Sequence, residues 1–263
     1  MNDYKIFKQI FKDLKDKGKI CSPRGEKILE IENYMYELPP YIRLCNFKSR
    51  KLNINYIKKE FLWYLNGDKF DISITEHAKL WKSLINKDGS INSNYGQYIF
   101  KDNFERCAKT LLDDKDSRRA SIMILNNNHL NSETKDYPCT YSINFRIRDD
   151  KLNMSVRMRS QDAIFGMGND APCFSFIHEL MYICLRDLKY GNLKLGNYNH
   201  VADSFHIYER HFNMLDEILS EKEEDFIIEE IPKINNLKEV KMLINNDYFN
   251  INNNDKFSKW LNK

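Results

Sequence analysis

The stretch "MRSQDAIFGMGNDAPCF", Met158 to Phe174, joins a strand-like run to a long apolar segment. A surface turn does not need many polar groups, whereas a pocket for a charged, hydrogen-bonding small molecule does. We therefore predict that this stretch lines a binding site. Its polar members are Arg159, Ser160, Asp162, Asn169 and Asp170.

The pattern on both sides of this stretch predicts a mixed α/β fold. Apolar residues alternate with polar ones over residues 143–147 and 152–158, with Asp149-Asp150 between them, which is typical of a β-hairpin. Helical spacing or apolar runs predict helices over 3–17, 57–68, 75–85, 102–113, 172–188 and 206–220. Strands are predicted over 27–38 and 118–126.

The chain is predicted to form a single domain. We find neither an internal repeat nor a Gly/Ser/Pro-rich linker in residues 1–263. The segment 220–263 is charged and rich in Asn, and we expect it to be a peripheral C-terminal extension.

Composition excludes several classes of function. The 41 Lys and Arg residues nearly balance 38 Asp and Glu residues, so the net charge is only +3, which argues against duplex DNA as a partner. Six scattered cysteines form no Cys-x-x-Cys pair, so we expect reduced thiols and no metal site. The N-terminus is not of signal-peptide type, and no window approaches 18 apolar residues. We expect a cytoplasmic protein with no membrane partner.

Cys139 in "DYPCTYSINF" can be read in two ways. It is either a small buried hydrophobe or a nucleophile whose thiolate is stabilised by arginines. Arg118, Arg119 and Arg159 fall near strand ends, and with Arg24 they could surround one dianion by charge-assisted contacts. The alternative is that these arginines are ordinary surface charges.

Two further sets of residues could carry chemistry. Glu60 lies in the apolar run "EFLWYLNGD", where a half-buried carboxylate could hold water. His206 and Tyr208 are two residues apart at a predicted strand-to-helix junction and could project from one edge.

Five fragments in series resemble the thymidylate synthase family, and within it the branch that hydroxymethylates pyrimidine nucleotides, here cytidylate. The resemblance covers roughly residues 20 to 212, and its fragments read "EFLWYLNGD", "LWKSLINKDGSINSNYGQYIF", "DSRRASIMI", "PCTYSINFRIRDDKLNMSVRMRSQDAIFGMGND" and "FHIYERHF". The resemblance implies a twisted mixed sheet flanked by helices, a homodimer formed through the sheet, and a nucleoside monophosphate bound beside 5,10-methylenetetrahydrofolate.

The resemblance also implies roles for individual residues. Cys139 matches the nucleophile, and Tyr95 matches a tyrosine close to the C5 proton of the base. The nucleotide phosphate would be held by Arg24, Arg159 and Ser160 of one subunit, together with Arg118 and Arg119 of the other. His206 and Tyr208 would bond the sugar hydroxyl. Asp162 matches the residue that contacts the pterin, and Trp81 the aromatic wall near the folate.

Asp170 is where the sequence departs from the uracil-specific pattern. Thymidylate synthases read R-S-x-D-x-x-x-G-x-P-F-N, and the last asparagine pairs with uracil. Here Asp170 takes that place, and a one-residue shift would instead assign it to Asn169. Because cytosine offers an amino donor, a carboxylate fits it, so we predict that dCMP or CMP is the substrate.

The resemblance leaves two outcomes for the one-carbon unit, a methyl or a hydroxymethyl group. We find no closing tail of the synthase kind, and Gly168-Asn169 replace Pro-Phe before the base-reading residue, so we predict hydration to a hydroxymethyl group with Glu60 holding the water. The alternatives are a thymidylate synthase acting on dUMP, a non-catalytic nucleotide- or RNA-binding homologue, and a plain structural protein.

Overall fold

A mixed β-sheet forms the centre of the molecule. A computed structural model describes residues 2–130, 133–245 and 255–263. The sheet has seven strands in this described part of the chain, which confirms the mixed α/β class. They are β1 Lys19–Cys21, β2 Ile28–Leu38, β3 Ser121–Met123, β4 Thr140–Arg148, β5 Lys151–Met158, β6 Gln161–Asp162 and β7 Lys194–Tyr208.

The strand order is β1-β2-β7-β5-β4-β3, and β6 pairs with β7 beyond the end of β5. β2 and β7 pair antiparallel, whereas β5 and β6 run parallel to β7. Strands β4 and β5 form the predicted hairpin around Asp149-Asp150, both of which have positive φ. The parallel register places the C-terminal end of β5 beside β7, and the pocket-lining stretch begins there.

Helices cover the sheet, and α7 is the central one because most of its side chains are buried. It packs on β5, β6 and β7 and against helices α2, α5 and α9. The helices are α1 Asp3–Lys17, α2 Ile54–Asn66, α3 Leu80–Leu84, α4 Gly96–Ile99, α5 Asn103–Asp113, α6 Asn127–Leu130, α7 Phe165–Leu188, α8 Phe212–Ser220, α9 Leu237–Ile244 and α10 Lys256–Leu261.

The prediction that a helix spans 172–188 was wrong at its start, because α7 begins at Phe165. Two glycines and two polar residues give "FGMGND" low helix propensity. Side chains from outside the helix compensate. Asp162 accepts hydrogen bonds from the N–H groups of Ile164, Phe165 and Gly166, as an N-terminal cap does. Asn169 and Asp170 therefore lie on a rigid helix rather than on a loop.

The prediction of a helix over 206–220 was also wrong at its start. β7 continues to Tyr208 because its last residues pair with β2, with Glu30 opposite His206 and Ile28 opposite Tyr208. A short 3₁₀ turn follows, and α8 begins at Phe212. Since alternate residues of a strand share a face, His206 and Tyr208 project on the same side.

Other boundaries differ less. The helix predicted over 57–68 is α2, which starts at Ile54 and ends at Asn66, with Gly67 in the left-handed conformation as its C-cap. The helix predicted over 75–85 is interrupted and consists of a 3₁₀ turn over 73–76 and the short α3. Of the strand predicted over 118–126, only β3 has strand geometry.

The C-terminal segment is not peripheral where the structure describes it, which corrects that expectation. Phe257 and Leu261 of α10 are fully buried, and Phe257 packs on Phe61 and Phe176. The Ile234 N–H donates to the buried Glu179 carboxylate of α7. Apolar islands in a polar segment thus complete the core. That residues 1–263 form one domain stays a prediction.

Gly96 permits the contact between α2 and α4. A Cβ atom at Gly96 would lie 1.6 Å from the backbone oxygen of Tyr64, which neither backbone can accommodate. We expect Gly96→Ala to lower the free energy of unfolding by about 3 kcal/mol, the range of severe overpacking. Gly191→Ala is the matched control, because nothing lies within 4 Å of its Cβ position. Urea unfolding measures both, and equal stabilities would contradict the assigned contact.

Candidate active site

The hairpin brings Cys139 and Arg159 side by side. Cys139 precedes β4 and Arg159 follows β5, and the Arg159 N–H donates to the Cys139 carbonyl at 2.8 Å. The Arg159 guanidinium donates to the carbonyls of Pro138 (3.1 Å) and Tyr137 (2.6 Å) and stacks on the Tyr137 ring. These bonds fix a cation beside the half-buried thiol.

The charges around Cys139 act in opposite directions. Burial raises the pKa of the thiol above its ordinary value, and Asp170 and Asp136 add to this, whereas Arg159 and Arg24 lower it. Arg24 is exposed on the turn between β1 and β2, with φ 53°. A non-glycine residue in this region is strained, and such strain clusters at functional sites. Arg24 and Arg159 are therefore the cations that favour the thiolate.

Asp170 projects into the same site as Cys139. Burial raises the pKa of Asp170 to about 7, opposed by a hydrogen bond from Gln161 and assisted by the charge of Asp162. The adjacent Asn169 has another partner, since its side-chain oxygen accepts from the buried Arg50 guanidinium at 3.4 Å. The charge of the Asp170 carboxylate acts on the Cys139 thiol, whereas the Asn169 amide is engaged with Arg50.

Glu60 lies at the back of the site and is 4% exposed. Burial and then the charge of Asp170 raise its pKa to about 8. Tyr56 donates to Oε1 of Glu60 at 2.9 Å, and Trp81 donates through Nε1 to the Tyr56 hydroxyl at 2.9 Å. With a pKa near neutrality, Glu60 can both take up and release a proton at working pH.

Tyr95 closes another wall of the site. It is buried and stacks between Tyr64 (centroids 5.4 Å apart) and Phe174 (6.1 Å). Burial raises its pKa well above the ordinary value, and the charges of Cys139 and Asp170 add to this. The Tyr95 hydroxyl is therefore neutral. The Tyr95 side chain belongs to the same cluster of residues as Cys139 and Asp170.

His206 and Tyr208 lie together at the C-terminal end of strand β7, as their spacing predicts. Their ring centroids are 5.1 Å apart and nearly perpendicular. β6 pairs with this end of β7, with Asp162 opposite His206, so both residues border the stretch that starts at Arg159. The half-buried Ser160 joins β5 to β6 at this edge.

The structure gives Asp162 and Trp81 contacts that the sequence did not indicate. Asp162 accepts three backbone N–H groups at the start of α7, and the Trp81 indole N–H binds Tyr56. A carboxylate has about four acceptor positions, so Asp162 keeps capacity for another donor. The half-buried Trp81 ring lies 5.1 Å from Trp63.

Arg118 and Arg119 are not brought to the cysteine within one chain. Both are exposed in the loop before β3, and neither is among the charges that act on Cys139. Within residues 2–130, 133–245 and 255–263 there is no cluster of three or more His, Cys, Asp or Glu that could hold a metal ion. In the same ranges no helix is long and apolar enough to cross a membrane.

Sequence reasoning missed several residues that shape the site. Arg50 binds the Ile164 carbonyl as well as Asn169, and Gly168 provides its space, because a Cβ there would lie 1.9 Å from the guanidinium. Gln161, Tyr36 and Tyr56 were missed because each acts through a tertiary hydrogen bond. The four-residue spacing of Tyr56 and Glu60 on a helix was the one available signal.

Comparison with known proteins identifies the family. The family model described as thymidylate synthase matches residues 5–257. The chain belongs to the thymidylate synthase family. It is therefore a transferase that modifies C5 of a pyrimidine nucleotide with a folate co-substrate, which family membership implies to be methylenetetrahydrofolate.

Three relatives illustrate the range of this family. The deoxycytidylate 5-hydroxymethyltransferase of Enterobacteria phage T4 is 31% identical over 219 residues, 77% of this chain and 85% of that protein. The deoxyuridylate hydroxymethyltransferase of Bacillus phage SP01 is 28% identical over 77% of this chain and 56% of that protein. The thymidylate synthase of Clostridium beijerinckii is 26% identical over 64% of this chain and 62% of that protein.

The raised pKa of Glu60 makes folding pH-dependent. The unfolded chain releases this proton near the ordinary value of 4.5, whereas the folded protein keeps it to about pH 8, so this group costs stability as the pH rises between the two. We expect Glu60→Gln to gain in free energy of unfolding relative to wild type between about pH 5 and pH 8. Urea unfolding measures this, with the exposed Glu76→Gln as control. A difference that is flat with pH would contradict the assignment.

Arg159 should govern the reactivity of Cys139. We expect Arg159→Met to raise the pKa of the thiol, because the nearest cation that lowers it is lost. The pH profile of iodoacetamide alkylation at Cys139, followed by peptide mass spectrometry, would then move to higher pH. Arg157→Met is the control, since Arg157 is exposed on β5, two residues before Arg159, and is not among the main charges that shift the pKa of the thiol. Equal shifts in both variants would refute the local role of Arg159.

Proposed function

We propose that the enzyme transfers a one-carbon unit from 5,10-methylenetetrahydrofolate to C5 of dCMP and hydrates it to 5-hydroxymethyl-dCMP. The observation that carries this proposal is that the charge of Asp170 acts on the Cys139 thiol while Asn169 is bonded to Arg50. The name of the T4 relative, which covers most of this chain, supports the same substrate.

Asp170 fits cytosine better than an asparagine would. Cytosine presents an N4 amino donor and an N3 acceptor, so it needs an acceptor and a donor in return. A carboxyl group that titrates near pH 7 supplies both, by accepting from N4 and sharing its proton with N3. Protonation at N3 draws electrons from C6, where the nucleophile must add. Asp170 would thus combine recognition with activation.

Cys139 is the proposed nucleophile. Its thiolate adds to C6 of the base, which places electron density on C5 for bond formation with the one-carbon unit. Arg24, Arg159 and Ser160 would bind the phosphate, and the cations that hold the phosphate are the same ones that lower the pKa of the thiol. Binding of the nucleotide and readiness of the nucleophile are therefore linked in this proposal.

The folate would bind between Trp81 and Asp162. Trp81 offers a half-buried ring, and Asp162 retains acceptor capacity for the N–H groups of a pterin. The folate supplies the one-carbon unit at the oxidation state of formaldehyde. The chain's own residues would hold the base in place, and the neutral Tyr95 hydroxyl would lie near the C5 proton that leaves.

Glu60 is proposed to direct the second half of the reaction. Once C5 carries an exocyclic methylene, water adds its oxygen to that carbon, the electron pair of the exocyclic double bond re-forms C5–C6, and the thiolate leaves C6. Glu60 would hold this water and take its proton, which its pKa of about 8 allows. Tyr56 donates to Oε1 of Glu60, and Oε2, which accepts only a long bond of 3.7 Å from the Cys173 thiol, would bind the water.

A homodimer formed through the sheet would complete the phosphate site. Arg118 and Arg119 are exposed near β3, where a second copy could present them to the first copy's nucleotide. The outward face of the sheet carries exposed apolar side chains, Met35 on β2 and Met123 on β3. Such a face is suited to burial against another copy.

The sugar is assigned from the names of the relatives. His206 and Tyr208 would bond the 3′-hydroxyl, which both CMP and dCMP carry. The printed names of the relatives refer to deoxynucleotides, so we propose dCMP before CMP.

A competition assay tests the substrate. With methylenetetrahydrofolate and equal amounts of dCMP, CMP, dUMP and UMP, we expect a product 30 Da heavier than dCMP, which is the mass of CH₂O. Asp170→Asn should move the preference toward dUMP by about tenfold, since one mismatched polar pair in a buried site costs roughly 1–3 kcal/mol. Cys139→Ser should abolish turnover. A methylated product, or an unchanged preference in Asp170→Asn, would refute the assignment.

Hydroxymethylation of dUMP is the second candidate. It is supported by the similarity to the SP01 enzyme and by the pKa of Asp170, because a neutral carboxyl group offers one donor and one acceptor as an amide does. In the competition assay this candidate would give a product 30 Da heavier than dUMP.

A further inference from the structure

A protonated carboxyl group does not by itself distinguish cytosine from uracil. Cytosine presents a donor at position 4 and an acceptor at N3, and uracil presents the reverse. If the proton of Asp170 can move between its two oxygens, the group pairs equally well with either base. Discrimination by Asp170, on which the proposed function rests, therefore requires that one oxygen remain an acceptor.

Gln161 supplies that constraint. Its Nε2 donates to Oδ2 of Asp170 at 3.1 Å, so Oδ2 is occupied as an acceptor. The orientation of the amide is fixed from its other end, where the Tyr36 hydroxyl donates to Oε1 of Gln161 at 3.2 Å. Gln161 is 2% exposed and Tyr36 is 5% exposed, so their mutual hydrogen bond is shielded from water, while the bond to the half-buried Asp170 is partly buried.

We propose that Gln161, oriented by Tyr36, confines the Asp170 proton to Oδ1 and thereby makes the enzyme selective for one pyrimidine. Gln161 is thus a specificity-determining residue that acts through Asp170 without needing to touch the reacting atoms. The Tyr36 ring is itself held in place, because it stacks on the buried His200 ring with centroids 4.9 Å apart. A series of contacts thus links His200 in the sheet, through Tyr36 and Gln161, to the Asp170 carboxyl group that is proposed to pair with the base.

The other groups that face Asp170 do not provide this constraint. No hydrogen bond from them to its carboxylate is present in the described part of the chain. Asp162 acts on Asp170 through charge, and the charge of Asp170 acts on the others. These groups come from α2, β2, β6, β7, α7 and the segments before α4 and before β4, and are Glu60, Tyr64, Tyr36, Asp162, Tyr198, Cys173, Tyr95 and Cys139.

The test compares Gln161→Met with Gln9→Met. Both variants remove a glutamine-to-aspartate hydrogen bond of 3.1 Å, but Gln9 donates to Asp13 on the exposed side of α1. We expect the ratio of kcat/KM for the two deoxynucleotides, dCMP and dUMP, to fall about tenfold in Gln161→Met, equivalent to 1.4 kcal/mol, and to stay unchanged in Gln9→Met. Tyr36→Phe, which keeps the ring stack, should lower the ratio in the same direction.

A second readout does not depend on turnover. In protein labelled with ¹³C at aspartate carboxyl groups, the signal lost in Asp170→Asn identifies Asp170. Its NMR titration should move to higher pH in Gln161→Met, because a bond that lowers the pKa has been removed.

The possible failures are distinguishable. If wild type prefers dUMP, the proposed substrate is wrong, but the inference still predicts that the preference shrinks in Gln161→Met. If folded Gln161→Met and Tyr36→Phe keep the wild-type ratio and the Asp170 titration does not move, the inference is wrong. Equal loss of kcat on both nucleotides with an unchanged ratio would likewise overturn it, since that indicates a merely structural role.

Discussion

The raised pKa of the half-buried Asp170 carboxyl group is the constraint on which the rest of the site depends. In water this group would be ionised at neutral pH, whereas burial raises its pKa to about 7. Its residual charge then acts on both Glu60 and Cys139 and raises their pKa values as well. Three groups that must exchange protons during the proposed reaction are thus coupled through one carboxyl group.

The fold keeps Asp170 and Cys139 close together through hydrogen bonds to the backbone segments that carry them. Arg50 binds the start of α7, and Asp162 caps it, so the helix that carries Asp170 is rigid from its first turn. The β4–β5 hairpin holds Cys139 beside Arg159 through a backbone bond. The free-energy cost of placing these groups close together is thus offset by hydrogen bonds made away from the reacting atoms, which is common at functional sites.

The sequence was sufficient to predict those structural features that depend on periodicity or on a motif. The hairpin around Asp149-Asp150, the C-cap at Gly67 and the shared face of His206 and Tyr208 all follow from local pattern, and the family follows from the motif series. The start of α7 could not be predicted, because tertiary partners override the low helix propensity of its glycines. The end of β7 was missed for a similar reason, since pairing with β2 decides it.

The partners of Asp170 were beyond sequence reasoning. Gln161 and Tyr36 are 125 residues apart in the chain, and neither belongs to a spacing that indicates contact. Arg50 likewise reaches Asn169 across 119 residues, and this bond engages the Asn169 amide, which leaves Asp170 as the residue proposed to read the base. From the sequence alone, a one-residue shift of the motif would have assigned the base-reading position to Asn169 instead of Asp170.

A structure of the protein with dCMP bound tests the central claim most directly. The account predicts that Sγ of Cys139 lies within bonding approach of C6 and that the Asp170 carboxyl group pairs with the N4 and N3 edge of the base. An Asp170 side chain directed away from the nucleotide, with Asn169 at the base edge in its place, would contradict it.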